Sequence, residues 1–218
     1  VSPCSYNGIE LFYRSLNHDT GWRPDFTTGN DPVCQWPHGN KPDVPAPYSQ
    51  ETFNGMEYQA ACLMIQNGLE EQGMELVKAV RDRYDGEKRN PWNEFESGSN
   101  YVRSMASYAL LLAYSGFEYH VPKGMIGFDP VWDGKFFQSF WSLDSGYGLM
   151  ACTPYGMEIS ITRGFLALNK VNSNIWSNKN VLSVTSDNQQ LNFTQNGREL
   201  SLTSTITLRK DEKLIIRY

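Results

Sequence analysis

From Thr52 to about Tyr84 apolar residues recur three and four positions apart, the period of helices that bury one face. In "EYQAACLMIQNG", Tyr58, Ala61, Cys62 and Ile65 share a stripe, and Gly68 is placed to end the helix. The pattern restarts in "LEEQGMELVKAVRDRY", with Leu69, Met74, Val77, Val80 and Tyr84 on or near one stripe, and "YDGEKRNP" then reads as a turn. A third helix is predicted from about 100 to 115. Its "SYALLLAYSG" is apolar almost all round, which predicts burial on most sides, and Gly116 suits its C-cap.

After about residue 124 the period switches to two. "GKFFQSFWSL", "GMEISITRGFLALNKV", "NVLSVTS", "QLNFTQNGRELSLTSTITLRK" and "KLIIRY" read as short strands joined by turns. "QNGRE", Gln195 to Glu199, is the strongest hairpin signal, because Asn-Gly supplies the positive φ values of a type I′ turn. Residues 1 to about 50 are irregular, and the prolines of "GNKPDVPAPYSQ" favour an extended surface loop. No repeat or low-complexity segment interrupts this order. The fold class is α+β: helical hairpins over residues 1–124, then an antiparallel β-rich region over residues 125–218.

Composition narrows the partners. With 218 residues, a net charge of −5 and no Lys/Arg run, the chain lacks a nucleic-acid footprint. No stretch reaches the roughly 18 apolar residues of a membrane span. The start, "VSPCSYNGIELF", has neither the charged n-region nor the apolar h-region of a signal peptide, and reads like a chain entered midway, a mature terminus or a fragment. Localisation is left unassigned. Six Trp, twelve Tyr and eleven Phe fit either aromatic-lined surfaces or a large mixed core.

The four cysteines, Cys4, Cys34, Cys62 and Cys152, have no metal spacing and no CxxC, and His18, His38 and His120 are scattered. Cys62 lies on an apolar helical face and reads as a buried free thiol; a Cys4–Cys34 bridge is left open. No metal or other cofactor is expected: neither GxGxxG nor GxxxxGK[ST] occurs, so a nucleotide site would have no local signature, and no GxSxG elbow marks a nucleophilic serine. Asn192 opens an "NFT" sequon, meaningful only in a eukaryotic secretory setting. In "DPVWDGKFFQSFWSLDSGYG", Asp129, Asp133 and Asp144 read as turn residues before they read as a second binding surface.

Three positions could form a polar site: Glu51 with Phe53 two residues on, Glu94 in "NPWNEFESGSN", and Arg103. Glu51 and Glu94 each stand just upstream of a helical segment, and antiparallel helices can bring such loops to one mouth. Carboxylates accept pairs of hydrogen bonds from neighbouring hydroxyls, a guanidinium donates to a further oxygen, and Phe53, Trp92 or Trp36 could pack on a pyranose ring, so the set suits a sugar. The plainer reading is equally concrete: Glu94 compensates a helix dipole, Arg103 pairs with it, and the aromatics are core.

The run "CQWPHGNKPDVPAPYSQETFNGMEYQAACLMIQNGL…VKAVRDRYDGEKRNPWNEFESGSNYVRSMASYALLLAYSGF" resembles the C-terminal part of the catalytic domain of glycoside hydrolase family 116, the non-lysosomal glucosylceramidases and bacterial β-glucosidases. The likeness covers about residues 33 to 130 and rests on several long phrases in order. It implies the last helical hairpins of an (α/α)6 toroid, with the β-rich tail similar to an extension in some bacterial members. It also implies retaining hydrolysis of β-glucosides, which needs two carboxylates flanking the scissile bond. In the family both come from segments N-terminal to this run, and no position here corresponds to them. The sugar-holding set does carry over: Glu51 and Phe53 match an acidic-x-aromatic pair lining the glucose site, and Glu94 and Arg103 match the Glu and Arg at the sugar's non-reducing end. The family has Trp where Phe53 stands and "NEIECG" where this chain has "NEFESG", with Ser97 replacing a Cys. The resemblance thus implies a β-glucoside or related carbohydrate as ligand, and the remainder of an enzyme or a homo-oligomer partner against the helices. The alternative is a non-catalytic module that binds carbohydrate or protein.

Overall fold

The computed structural model describes residue 43, residues 54–87 and residues 103–218. The chain divides into two compact units, Val1–Leu110 and Leu111–Tyr218.

In the first unit α1 spans Asn54–Gln66 and α2 spans Glu70–Arg83. Gly68 at φ 79° reverses the chain between them. Its N–H donates to the Ile65 carbonyl at 3.1 Å, and the Leu69 N–H donates to the Met64 carbonyl at 2.9 Å. These are the two bonds of a Schellman motif, and Leu69 packs beside Met64 as the hydrophobic contact that accompanies it. The α1 stripe is as the spacing predicts: Tyr58, Ala61, Cys62 and Ile65 are all buried. On α2 the buried face is turned one position from the expected one. Gly73, Leu76, Ala79 and Val80 face inward, while Met74 is 42% exposed. Gly73 lets the helices close up, since a Cβ there would stand 2.8 Å from Ile65 Cγ1 and 2.9 Å from the Ala61 carbonyl oxygen.

The third helix differs from expectation in kind. Arg103–Tyr108 is a 3-10 helix, followed by the seven-residue α3, Ala109–Ser115. It is not buried all round: Tyr108, Leu111 and Leu112 are exposed, and Ala113 and Ser115 are its buried residues. With about half its apolar side chains outward, the segment gains less from packing than its composition suggests, and a short 3-10 turn is sufficient to carry it.

The second unit carries ten strands: β1 Glu118–His120, β2 Met125–Gly127, β3 Phe137–Ser142, β4 Gly146–Thr153, β5 Gly156–Asn172, β6 Ser183–Ser186, β7 Gln189–Gln190, β8 Phe193–Asn196, β9 Glu199–Arg209 and β10 Lys213–Arg217. They form two sheets that share β5. Its first half lies in the order β3-β4-β5-β10-β6-β7, and its second half in the order β1-β2-β5-β9-β8. Every pairing is antiparallel except β2 with β5, which is parallel and corrects the all-antiparallel expectation. The parallel partner arises because β1 and β2 form a small hairpin laid against the far end of β5.

Inward positions alternate along the first half of β5 as Met157, Ile159 and Ile161. After four exposed residues the alternation resumes on the other parity with Leu166 and Leu168. The switch centres on Gly164, at φ 79°. Both halves feed one core, which joins Trp141, Met150 and Cys152 to Leu200, Leu208, Leu214 and Ile216. At the "QNGRE" hairpin Asn196 pairs with Glu199, so the two loop residues are Gly197 and Arg198. Gly197 alone has positive φ, the pattern of a type II′ turn in place of the expected type I′. The type I′ pattern appears instead at Asp187-Asn188, φ 45° and 65°, between β6 and β7.

Replacing Gly164 with alanine puts a Cβ 2.2 Å from the Ser145 carbonyl oxygen and keeps φ in the left-handed region. The expected loss, measured by urea unfolding, is about 2–4 kcal/mol. Gly134→Ala, which has the same hand of φ but open space around it, costs about 1 kcal/mol.

Candidate functional site

Packing fixes the direction of the three helical segments. Tyr58, Val80 and Tyr84 cluster with Ala106, whereas Ala60, Ala61, Met64 and Leu76 form the neighbouring cluster, and Leu110 packs against both. Advancing along α1 therefore means retreating along α2 and advancing along Arg103–Leu110. One end of the unit gathers the start of α1, the close of α2, and the first residues of the 3-10 helix. Arg103 opens that helix; its side chain, and all of Glu51, Phe53 and Glu94, lie outside the described residues.

The described residues at this end are unusually polar for a buried surface. Asn54, the first residue of α1, is 1% exposed, and Glu57, one turn on, is fully buried. The Glu57 carboxylate is paired with the Arg83 guanidinium of α2, itself mostly buried. That pairing is what allows two charges to leave water, because an unpaired buried carboxylate costs several kcal/mol. Arg83 also stands over the Tyr84 ring at 5.9 Å. Burial raises the Tyr58 hydroxyl above its ordinary range, against an opposing hydrogen bond from Arg81. The hydrophobic pattern alone passes over Asn54 and Glu57. The spacing holds the signal, since Asn54, Tyr58, Ala61 and Ile65 continue one stripe backwards, but a polar residue at its head reads as a helix start.

Of the other residues that the sequence singles out, His120 is exposed, and no group of three His, Cys, Asp or Glu among the described residues could hold a metal ion. Cys62 and Cys152 are buried free thiols; burial pushes Cys62 up and Cys152 up to about 11. Neither suits nucleophilic chemistry. Asp133 caps its own turn by accepting from the Lys135 N–H at 3.1 Å, and Asp144 lies in the β3–β4 turn. Asp129 is no simple turn residue. It accepts from Arg198 Nη2 at 2.8 Å and from the Asn174 side-chain amide at 3.0 Å. Arg198 pairs with Glu118 as well, so the β8–β9 turn is tied to β1. Cys4, Cys34, His18, His38 and the aromatics Trp36 and Trp92 lie outside the described residues.

In the second unit a cavity of about 290 Å³ is lined by Ser177, Asn178, Lys179, Asn180, Gln195 and Gly197. Gln195 holds its wall: the carboxamide oxygen accepts from the Val181 N–H at 2.9 Å, and the nitrogen donates to the Trp176 and Lys179 carbonyls at 3.1 and 2.7 Å. Lys179 Nζ lies 4.7 Å from the Tyr218 ring centre. The outer face of the first sheet shows a cross-strand aromatic pair, Phe140 and Tyr147, 5.7 Å apart, with Leu149 opposite Phe140.

No family model matches this sequence, and no curated protein matches it. Among solved structures, α-L-rhamnosidase from Dictyoglumus thermophilum is similar over 74% of this chain and 20% of its own, at 9% identity and a TM-score of 0.37. A GH127 β-L-arabinofuranosidase from Geobacillus Stearothermophilus T6 is similar over 74% of this chain and 28% of its own, at 10% identity and a TM-score of 0.31. The chain therefore spans a fifth to about a quarter of the glycoside hydrolases it is compared with, and likenesses this distant carry no functional argument. The described structure is mixed helix and strand, rich in strand, and it does not display a toroid. No helix among the described residues is long and apolar enough to cross a membrane.

The polar contacts of the second unit are open to two measurements. Arg198→Met severs the ties to both Glu118 and Asp129; because the three side chains are partly solvated, the expected loss is about 1–2 kcal/mol by denaturant unfolding, against almost nothing for Lys210→Met. Glu199 is held below the usual glutamate range, first by the hydrogen bond from Lys170 and then by that from Ser201. A depressed carboxyl stabilises the fold above its unfolded pKa near 4.5 and ceases to do so as pH falls through the lower folded value. Lys170→Met should move the Glu199 carboxyl back towards 4.5 in an NMR titration and flatten the acid limb of stability.

Proposed function

We propose that this chain is the C-terminal portion of a retaining β-glucosidase or glucosylceramidase-like glycoside hydrolase. Residues 1–124 would supply the last hairpins of an (α/α)6 toroid and residues 125–218 an appended β-rich region. The observation that carries this reading is the ordered run of phrases from Cys34 to Phe117 that resembles family 116, and the family-level reading rests on those phrases alone. Two structural features accord with it. The helices form a close hairpin followed by a strand-rich unit, in the order the resemblance implies. The start of α1, three residues after Glu51, and the start of the 3-10 helix at Arg103 fall at one end of the helical unit.

In this reading Glu51, Glu94 and Arg103 hold the hydroxyls of a β-glucoside, and Phe53 packs on the ring. The carboxylates accept, the guanidinium donates, and each strong contact is charge-assisted. Retention requires two catalytic carboxylates, which in the family lie N-terminal to the matched run, and no position of this chain corresponds to them. The chain's work is therefore to bind and orient the sugar, while a further part of the enzyme or a partner chain supplies the bond-breaking groups.

A second reading is a non-catalytic carbohydrate- or protein-binding module. The Phe140–Tyr147 pair, with Phe140 exposed and Tyr147 half-buried, favours it, because aromatic faces on a sheet surface can stack on sugar rings or side chains.

Calorimetric titration of the 218-residue chain with glucose separates them. Weak binding that falls about tenfold or more in Glu94→Ala and Arg103→Ala, with no turnover of an aryl β-glucoside, is the expected result, a loss of about 1.4 kcal/mol or more for each charge-assisted contact. Binding unchanged in both variants but lost in Phe140→Ala/Tyr147→Ala transfers the function to the sheet. Ordinary glucosidase rates from this chain alone would place the chemistry within it and overturn the proposal.

A further inference from the structure

The cavity of the second unit has one wall that is already built and an opening whose polar groups are not engaged. Gln195 makes the wall, its carboxamide oxygen accepting from the Val181 N–H and its nitrogen donating to the Trp176 and Lys179 carbonyls. The Ser177 N–H donates to the Asn174 carbonyl at 3.1 Å, and the Lys179 N–H to the Trp176 carbonyl at 3.0 Å. The Ser177 hydroxyl is engaged too, donating to the Asn174 carbonyl at 2.9 Å. The segment 177–180 is therefore pinned to β8 before any ligand arrives, which removes the loop-ordering penalty that binding otherwise carries. Around the opening, Asn178, Lys179, Asn180 and Gly197 are exposed to solvent.

The groups left over limit the ligand. Among the described residues neither the Asn178 nor the Asn180 carboxamide is bonded elsewhere, and no carboxylate pairs with the Lys179 ammonium. That ammonium stands 4.7 Å from the Tyr218 ring centre, a cation–π contact that restrains an otherwise mobile side chain. None of the six lining residues is acidic, and Arg198, next along the turn, is paired with Glu118 and Asp129. The cavity thus presents one positive charge and two carboxamides, with no apolar side chain in its lining. An apolar ligand finds nothing to pack on, unlike in the mostly apolar pockets that hold such molecules. A single ammonium matches a single negative charge, whereas a phosphate dianion is ordinarily met by an arginine fork or a nest of backbone N–H groups. Each carboxamide both donates and accepts, as neighbouring hydroxyls require.

We infer that this cavity binds a small hydroxylated carboxylate of the hexuronate kind, its carboxylate on Lys179 and its hydroxyls on Asn178 and Asn180. At about 290 Å³ the cavity lies at the lower bound of small-molecule sites, room for a single ring. The inference is independent of the sugar-binding reading of the helical unit, since it uses other residues in the other unit. Every contact stays solvated, so binding is weak, with a dissociation constant of about 1–10 mM.

The test is an NMR titration of the full chain, in which the amide signals of residues 177–180 and 195–198 report on this cavity and not on the helical unit. Glucuronate, glucose, acetate and phosphate are added at constant ionic strength to the wild type, Lys179→Gln and Asn178→Ala/Asn180→Ala, and each protein is melted without ligand. Glucuronate should shift those signals with an affinity at least about fivefold tighter than that of glucose, acetate or phosphate, because each of these lacks part of the complement. Lys179→Gln should bring glucuronate down to the level of glucose, and the double asparagine variant down to that of acetate. Melting temperatures should change little, since all three side chains are exposed. Acetate or phosphate binding as tightly as glucuronate reduces the cavity to a plain anion site and overturns the inference. Glucuronate binding no tighter than glucose, or unaffected by Lys179→Gln, overturns it as well, and so does the absence of shifts at these residues.

Discussion

One strand in the second unit has to belong to two sheets, and a residue without a side chain makes that feasible. Where β5 turns at Gly164, the Ser145 carbonyl and the Gly146 Cα press against the space a Cβ would fill. The turn lets Met157, Ile159 and Ile161 face the core from one sheet and Leu166 and Leu168 from the other. Without the bend, the seventeen residues would run straight and one half of their apolar side chains would point into water, since a strand offers alternate residues to opposite faces. The β4 partner, the β9 partner and the β10 partner all dock on this one strand. Its geometry is therefore prior to theirs.

The helical unit answers to a different constraint. Its close packing comes from small residues: Gly73 beside Ala61 and Ile65, and Ala60 against Leu76. Those contacts occupy the middle and the Gly68 end. Towards the other end the buried face turns polar through Asn54, Glu57 and Arg83. A unit selected only for stability would carry leucine or valine there, because a buried ion pair rarely outperforms well-packed apolar side chains. The apolar packing of the hairpin is thus concentrated towards Gly68, while its other end is held among the described residues by an ion pair.

Much of this is legible from residue order, and the exceptions have physical causes. The Schellman turn at Gly68 and the α1 stripe are readable because local chemistry decides them. Strand β4 is not: "SGYGLMACT" reads as turn-like glycines followed by a short apolar run. In the fold Gly148 is needed because the Ser160 carbonyl leaves no room for a Cβ, at the bulge between Tyr147 and Gly148. The β1–β2 hairpin escapes because three-residue strands carry no period, and its parallel pairing depends on a strand some forty residues away. At "QNGRE" the residues are right and the register is shifted by one, so glycine leads the turn and Arg198 takes the second loop position. That shift is consequential, since it is what aims Arg198 at Glu118 and Asp129.

The site divides along the same line. Glu51, Phe53, Glu94 and Arg103 stand out by loop position and family-like phrases, cues that depend on residue identity and not on packing. Asn54 and Glu57 escape because hydrophobic periodicity is blind to a polar residue on a buried stripe: the pattern records them as breaks where the fold treats them as members. Among the described residues at this end, a carboxamide lies interior to the stripe and a carboxylate is neutralised by a guanidinium of the next helix. Burying polar groups is costly unless each charge is matched, which is why the Glu57 carboxylate and the Arg83 guanidinium come as a pair.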